Sequence, residues 1–434
     1  MSEEATAPVV APPPGHPRFA LVDSLRAIAA LTVLLHHTGY DTSAVQNPHY
    51  GTLIERTNVG VTLFFLISGF LLYRPFVAAR MVGAPHTRLR DFARRRLLRI
   101  VPAYWLALTV LAIYPGESGV FSNHWWIYYG FLQIYNDGTV LRGLGQAWSL
   151  CVELTFYIVL PFYAALMTRC LRRLTVRWQV RIELGLLALI SVGSWGYRLY
   201  LRTDRPFSPW ANTLPVFADW FAAGMALAIL SVALQSSGAR PRAVRIVQRW
   251  PVLPWAAAVI VYVVASEIVS GPHIIELFGQ KSLYWSPRED LAIHVLFALV
   301  GAGLLIPAIF GTQGGGVVRR ILANRRLAWL GLISYGIYLW QGSVLQVICQ
   351  PQGYGFINGS CRMHNIGLLQ HVPFLSLTVI GVCVTIVCAT ASYYAVERPL
   401  LRLKYRRTPP APPAAPSGAA GPPRSAPAVA TAER

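Results

Sequence analysis

The chain has 434 residues, of which 54% are hydrophobic and only 13% are charged. A soluble domain usually carries about 25% charged residues, so this composition excludes an ordinary soluble protein. The formal net charge of +20 could suggest a nucleic-acid partner, but the arginines lie between long apolar segments. That placement is typical of membrane-protein loops, and we therefore expect a lipid bilayer and no nucleic acid as the partner.

Apolar segments of spanning length recur along the chain, since about 20 such residues cross the hydrocarbon core. We predict about ten transmembrane helices, at residues 19–39, 58–79, 100–114, 148–168, 182–201, 214–235, 252–270, 291–311, 328–348 and 373–394. The predicted fold class is therefore an all-α, multi-pass integral protein of the cell membrane. Residues 1–17 and 408–434 are Pro/Ala-rich and are predicted to be disordered, which leaves 18–407 as the membrane domain.

The distribution of basic residues predicts the orientation of these helices. With a cytoplasmic N-terminus, the loops that face inward carry 20 Arg or Lys residues and those that face outward carry 7. Counting the aromatic stretch 124–135 as a further span would reverse this bias, so we interpret it as interfacial. The excess of positive charge inside favours ten spans with both termini in the cytoplasm.

The first predicted span carries Arg26 and His37, eleven residues apart. At 100° per residue they share one helix face, about 16 Å apart along the axis, whereas His36 points about 100° away. Ionisable residues inside a membrane are costly and mark functional sites. The alternative is that both side chains extend to the two membrane surfaces.

Two further elements add charge near the membrane. Arg96 and Arg99 are spaced i, i+3 and can present one cationic face, suited to bidentate phosphate binding; a lipid-headgroup cluster is the alternative. Glu153 lies inside an apolar span and needs a partner or a proton. Arg26 or His37 could be that partner, and a structural ion pair between helices is the other interpretation.

Together these motifs resemble the membrane-bound acyltransferase family 3. The matching positions, in the order of the family, are Arg26 and His37, Ser68-Gly69-Phe70, Arg96-x-x-Arg99 with Tyr104-Trp105, Trp148-Ser149-Leu150 with Glu153, Ser334-Tyr335 with Tyr338-Leu339-Trp340, and Glu397-Arg398-Pro399. They extend over residues 20–400. One departure is Gln341, which stands where the family often has a histidine and cannot exchange protons near neutral pH.

The resemblance implies an acyl-CoA or similar donor, acetyl-CoA in the simplest case, bound from the cytoplasm. It implies transfer of the acyl group to a hydroxyl of a carbohydrate, a lipid-linked glycan or a small hydroxylated metabolite, without a metal. It assigns importance to Arg26, His37, Arg96, Arg99 and Glu153. We expect a stand-alone domain without the fused extracytoplasmic hydrolase-like domain that some relatives carry.

Our mechanistic hypothesis is that neutral His37 takes the proton of the acceptor hydroxyl. Glu153 would orient the imidazole, and Arg26 would hold the donor or oppose the oxyanion. Ser68 and Ser149 could instead form a covalent acyl-enzyme. The alternative functions are a transporter or flippase of an acylated glycan or lipid, in which buried charges relay protons, and an enzyme that transfers between lipids on one face.

Six cysteines occur in the chain, and two of them fall in one predicted outward loop. Disulfides persist outside the cytoplasm. We therefore predict that Cys349 and Cys361 pair, and that Cys151, Cys170, Cys383 and Cys388 stay reduced.

Overall fold

The computed structural model of the chain describes residues 20–402, with gaps at 118, 137, 141, 206–207, 239–240, 269–272, 278–279, 285, 312–315, 352–360 and 364–373. The ends that the sequence predicts to be disordered, 1–17 and 408–434, lie outside the described residues. The division into a membrane domain at 18–407 with two such ends therefore stays a prediction.

The described part of the chain is mostly helical. Its first helices are α1 (Ala20–Asp41), α2 (Gly51–Glu55), α3 (Val59–Val82), α4 (Leu89–Ile113), α5 (Trp125–Tyr129), α6 (Trp148–Leu171), α7 (Val176–Asp204) and α8 (Leu214–Ser237). They are followed by α9 (Arg242–Arg249), α10 (Val252–Val263), α11 (Pro287–Phe310), α12 (Val317–Leu322), α13 (Arg325–Leu332), α14 (Ser334–Ile348), α15 (Phe374–Ser392) and α16 (Arg398–Arg402). Two short antiparallel pairs complete the described elements: β1 (His273–Leu277) with β2 (Gln280–Tyr284), and β3 (Cys349–Pro351) with β4 (Cys361–Met363).

The protein is an all-α integral membrane protein, as the sequence predicts. Each predicted span overlaps one or two described helices. Seven described helices are long and apolar enough to cross a membrane on their own, or eight if the bent pair Arg242–Arg249 and Val252–Glu267 counts as one span. The predicted span 19–39 is interrupted by polar and ionisable side chains, and 328–348 is divided between α13 and α14. The count of ten and the cytoplasmic side of the termini stay predictions.

The prediction that 80–99 is a loop is wrong for its second half. α4 begins at Leu89, so the arginines at 94, 95, 96 and 99 belong to a helix that continues to Ile113. A hydropathy pattern misses this start because arginine is a good helix former that lowers mean hydropathy. The interpretation of 124–135 as a non-spanning stretch agrees with the structure, which has only α5 and a 3₁₀ turn at Gln133–Tyr135 there.

Close contact between α3 and α8 forms the centre of the bundle. Gly69 on α3 lies against the backbone of Phe221, and Gly224 on α8 lies against the backbone of Leu66, so a Cβ atom at either glycine would overlap a carbonyl oxygen. Small residues at such crossings let helix backbones approach each other in a membrane. Because Gly69 follows Ser68, this crossing also fixes the depth of the Ser68 hydroxyl.

The cysteines follow the predicted redox pattern where the structure describes them. Cys349 is disulfide-bonded, and Cys151, Cys170, Cys383 and Cys388 are free. The sixth cysteine of the sequence, Cys361, begins β4, which pairs with the strand that begins at Cys349. This arrangement agrees with the predicted disulfide between Cys349 and Cys361 in the outward loop.

The predicted topology can be tested by labelling single cysteines. In a background in which Cys170 and Cys383 are serine, His49→Cys lies in the predicted outward loop 40–57 and Arg90→Cys lies near the start of α4, both at exposed positions. We expect an impermeant thiol reagent added to intact cells to label His49→Cys only, and Arg90→Cys to react after permeabilisation. The reverse pattern would contradict the ten-span orientation.

Candidate active site

The site is assembled around Glu153, which lies on the second turn of α6. Its Oε1 atom accepts a hydrogen bond from the Ser68 hydroxyl of α3 at 2.5 Å and another from the Tyr157 hydroxyl at 2.6 Å. Tyr157 is one helical turn further along α6 and is buried. A charged carboxylate in an apolar bundle requires such donors, so Glu153 joins α6 to α3.

Three arginines surround this carboxylate. Arg26 of α1 lies within electrostatic reach of Glu153 and of Arg99. Arg96 of α4 places its guanidinium carbon 5.8 Å from the centre of the Tyr157 ring, a cation–π geometry. We call Arg26, Arg96 and Arg99 the arginine cluster.

The arginine cluster lacks the direct contact with a carboxylate that usually neutralises a buried arginine. None of its three guanidinium groups forms a salt bridge or hydrogen bond with a described residue, and the buried Nε atom of Arg26 has no partner. Asp23 and Glu153 lie within electrostatic reach of Arg26, and Glu397 lies within electrostatic reach of Arg99, but none of these carboxylates is in salt-bridge contact with the cluster. Because no described carboxylate is in direct contact with these guanidinium groups, their donors can bind an anion.

His37 lies further along α1, on the face of Arg26. Its Nδ1 atom is buried and has no hydrogen-bond partner among the described residues. His36 differs, because its Nδ1 atom lies 2.8 Å from the carbonyl oxygen of Glu55 and its ring packs on Tyr40. His36 is therefore held by the protein, whereas His37 keeps a ring nitrogen available.

The structure brings together only part of the predicted set. Glu153 lies within electrostatic reach of Arg26 and Arg96, but within the described residues no hydrogen bond joins it to His37, about 16 Å along α1 from Arg26. The two candidate nucleophiles are both engaged: Ser68 bonds to Glu153, and Ser149 lies 2.7 Å from the Tyr338 hydroxyl. Each hydroxyl thus fixes a neighbouring helix.

The α14 motif lies beside this site. The Tyr338 hydroxyl also donates to the carbonyl oxygen of Gln146 at 2.9 Å, and the Tyr335 hydroxyl donates to the carbonyl oxygen of Ile100 on α4. Gln341 is fully buried, and neither amide atom has a partner in the described part of the chain. Its side chain therefore offers both a donor and an acceptor inside the bundle.

Outside the predicted spans, one carboxyl group lies against α14. Glu117 accepts a hydrogen bond from the Ser343 hydroxyl at 2.6 Å, and burial raises the pKa of its carboxyl group. No group of three or more His, Cys, Asp or Glu side chains in the described residues could hold a metal ion.

Two buried charge networks were not predicted from the sequence, although Glu183, Asp219 and His294 lie in predicted spans. Glu183 of α7 accepts hydrogen bonds from Arg80 and Tyr73 of α3. Asp219 of α8 pairs with His294 of α11 at 2.8 Å. An ionisable residue inside a span is itself the signal that marks such positions.

The side chains of this site indicate the class of protein to which the chain belongs. An all-α membrane domain that holds a carboxylate, unpaired arginines and an available imidazole in its interior has the groups that a membrane-embedded transferase needs. The family model described as an acyltransferase domain, acyltransferase-3, matches residues 19–394. The chain belongs to this acyltransferase family and is a multi-pass membrane protein, which confirms the resemblance.

Individual relatives are similar at low identity. The chain is 22% identical over 339 residues to the peptidoglycan O-acetyltransferase OatA of Listeria monocytogenes, covering 75% of this chain and 49% of the relative. It is 23% identical over 417 residues to the putative peptidoglycan O-acetyltransferase YrhL of Bacillus subtilis, covering 89% and 55%. It is 26% identical over 352 residues to the exopolysaccharide production protein ExoZ of Rhizobium meliloti, covering 79% and 89%. The chain thus spans about half the length of the first two, and no solved structure matches it.

The hydrogen bonds to Glu153 make a prediction about stability. Tyr157→Phe removes one donor from a carboxylate inside the bundle, which should cost about 1–3 kcal/mol and lower the thermal midpoint of the purified protein in detergent. Tyr163→Phe is the matched control on the same helix, because the Tyr163 hydroxyl is buried and has no hydrogen-bond partner among the described residues. Equal midpoints for the two variants would contradict the role of Tyr157.

Proposed function

We propose that the protein transfers an acyl group, acetyl or similar, from a CoA thioester to a hydroxyl of a carbohydrate, glycolipid or glycosylated metabolite. The donor enters from the cytoplasm, and the acceptor is a glycan of the cell envelope or a molecule that carries one. Support for O-acylation comes from relatives named as peptidoglycan O-acetyltransferases, and a relative named for exopolysaccharide production supports a glycan acceptor.

The arginine cluster is the observation that carries the choice of donor. Three guanidinium groups that form no salt bridge with the described part of the chain suit the phosphates of CoA, which they can bind bidentately. The cluster includes Arg26, and His37 lies about three helical turns further along the same face of α1. The part of the CoA donor between its diphosphate and its thioester is long and flexible. With the diphosphate at the arginine cluster, it would place the reacting carbonyl near the His37 imidazole.

His37 is proposed as the general base. Its neutral ring takes the proton of the acceptor hydroxyl as the oxygen attacks the thioester carbonyl, and a tetrahedral oxyanion forms. When the carbon–sulfur bond breaks, the CoA thiolate leaves and takes the proton back from the imidazolium. The ester product and free CoA thiol then balance the reaction, and the histidine returns to its neutral form.

Glu153 has a different proposed role from the one expected from sequence. Its hydrogen bonds with Ser68 and Tyr157 fix it beside the arginine cluster, so it orients Arg26 and limits the repulsion among the arginines. Arg26 in turn binds donor phosphate. The buried Gln341 amide is positioned to hydrogen-bond a hydroxylated acceptor or the donor amides, without taking a proton.

The central test compares two adjacent histidines. In an assay of acetyl transfer from acetyl-CoA by purified protein, His37→Ala and His37→Gln should lose about 10²–10⁴-fold in kcat, because a general base contributes that much and an amide cannot accept the proton. His36→Ala should keep most of the activity, because the His36 ring contacts the backbone of Glu55.

Thermal midpoints of all three variants control for folding. Near-normal kcat for His37→Gln would show that the residue only positions substrate. Transport of an acylated glycan without any acyl transfer by purified protein would instead support the transporter alternative. Mass spectrometry of envelope glycans with and without the protein would identify the acceptor.

The arginine cluster makes a separate kinetic prediction. Arg96→Ala and Arg99→Ala should each raise the KM for acetyl-CoA about tenfold or more, since charge-assisted hydrogen bonds contribute about 1.5–3 kcal/mol. Lysine at either position should restore binding only in part, because it lacks the bidentate fork. Arg90→Ala is the control, an exposed arginine on the same helix. An unchanged donor KM together with reduced membrane insertion would mean that these arginines serve topology alone.

A further inference from the structure

A cavity outside the active site lies at the start of α4 and the end of α6. Its volume is about 610 Å³, within the range of about 300–1,000 Å³ that holds small ligands. One side is apolar, with Phe76 and Leu89, and the other carries His86, Arg169 and Arg172. No acidic residue is among its described lining residues, so the cavity favours an anionic ligand with an apolar portion.

The two arginines of this cavity are available for binding. Arg169 and Arg172 are exposed on the last turn of α6 and just beyond it, and neither forms a salt bridge with a described residue. Two guanidinium groups at this spacing can approach one phosphate group from two sides. By the predicted topology this end of the bundle faces the cytoplasm.

The α4 side of the cavity leads to the active site. Leu89, Phe92, Arg96 and Arg99 are spaced i, i+3, i+7 and i+10, so they follow one face of α4 over about 15 Å. Phe92 packs on Phe76 at the cavity, with ring centres 5.6 Å apart, and on the ring of Tyr157 at 6.5 Å.

On α6, the residues that line the cavity and those at the active site also lie along one face of the helix. Glu153, Tyr157, Ala164 and Thr168 fall within about 60° of one another around α6, and Ala164 and Thr168 line the cavity. The cavity and the arginine cluster are therefore the two ends of one seam between α4 and α6.

We propose that this cavity binds the adenosine end of the CoA donor, with Arg169 and Arg172 holding its 3′-phosphate. The inference rests on the proposed function and deepens it, because it locates the end of the donor that is remote from the reacting carbon. The diphosphate reaches the arginine cluster along the seam, and the apolar wall of Phe76 and Leu89 packs against the adenine ring. An anionic lipid headgroup is the competing source of phosphate at such a position.

The test compares two ligands that differ only in the 3′-phosphate. The equilibrium Kd values of CoA and 3′-dephospho-CoA are measured by calorimetry on the purified protein in nanodiscs of neutral lipid. Arg169→Gln and Arg172→Gln should each weaken CoA binding about threefold to tenfold, as expected for a partly exposed charged hydrogen bond. The same variants should leave the Kd of 3′-dephospho-CoA unchanged, because this ligand lacks the phosphate that the two arginines hold. Comparing both ligands across the variants is a double-mutant cycle that isolates this one contact.

Arg173→Gln is the matched control, because it removes an equal exposed charge next to Arg172 from a position that does not line the cavity. Equal weakening of both ligands by the cavity variants would overturn the 3′-phosphate assignment while leaving the proposed donor intact. An effect that occurs only in nanodiscs with anionic lipid would assign the cavity to a lipid headgroup. Failure of the unsubstituted protein to bind either ligand would overturn the proposed donor and this site with it.

Discussion

Glu153 places a carboxylate inside a helix bundle that lipid surrounds, and the arrangement of the site follows from the donors this group requires. A charged side chain at the centre of a membrane helix costs about 2.5–3.5 kcal/mol on insertion scales. Glu153 offsets that cost with the Ser68 hydroxyl from α3 and the Tyr157 hydroxyl from α6. Because Arg96 lies over the Tyr157 ring, the same carboxylate also fixes α4. One partly buried carboxylate thus links three helices at a common depth.

The features that could be predicted from sequence are those that depend on spacing along a single helix. The shared face of Arg26 and His37 follows from eleven residues at 100° each, and the two histidines point apart for the same reason. The hydrogen-bond partners of Glu153 could not be predicted, since Ser68 lies 85 positions away and helix spacing says nothing of contacts between helices. The start of α4 at Leu89 was missed because hydropathy reports preference for lipid, whereas arginine continues a helix beyond the lipid boundary.

Two other buried networks show how the protein neutralises charge where structure alone is required. Arg80 meets Glu183, and Arg198 donates to both carboxylate oxygens of Asp290 at 2.6 and 2.9 Å. In each case a guanidinium group has a carboxylate in direct contact. Such pairing joins α7 to α3 and to α11, and it leaves little capacity for a ligand.

The arginine cluster departs from that pattern within the same bundle, and this departure supports the proposal that it binds an anion instead of forming a structural ion pair. Arg26, Arg96 and Arg99 lie close enough to repel one another, yet their described surroundings include no carboxylate in salt-bridge contact. Burying like charges without direct ion pairs destabilises the ligand-free protein. An anionic ligand removes this repulsion when it binds. The relief of repulsion among the arginines therefore contributes to the binding free energy of the ligand. The bundle pairs Arg80 and Arg198 directly with carboxylates, and no described carboxylate does so at the arginine cluster, which supports our proposal that a substrate supplies the negative charge there.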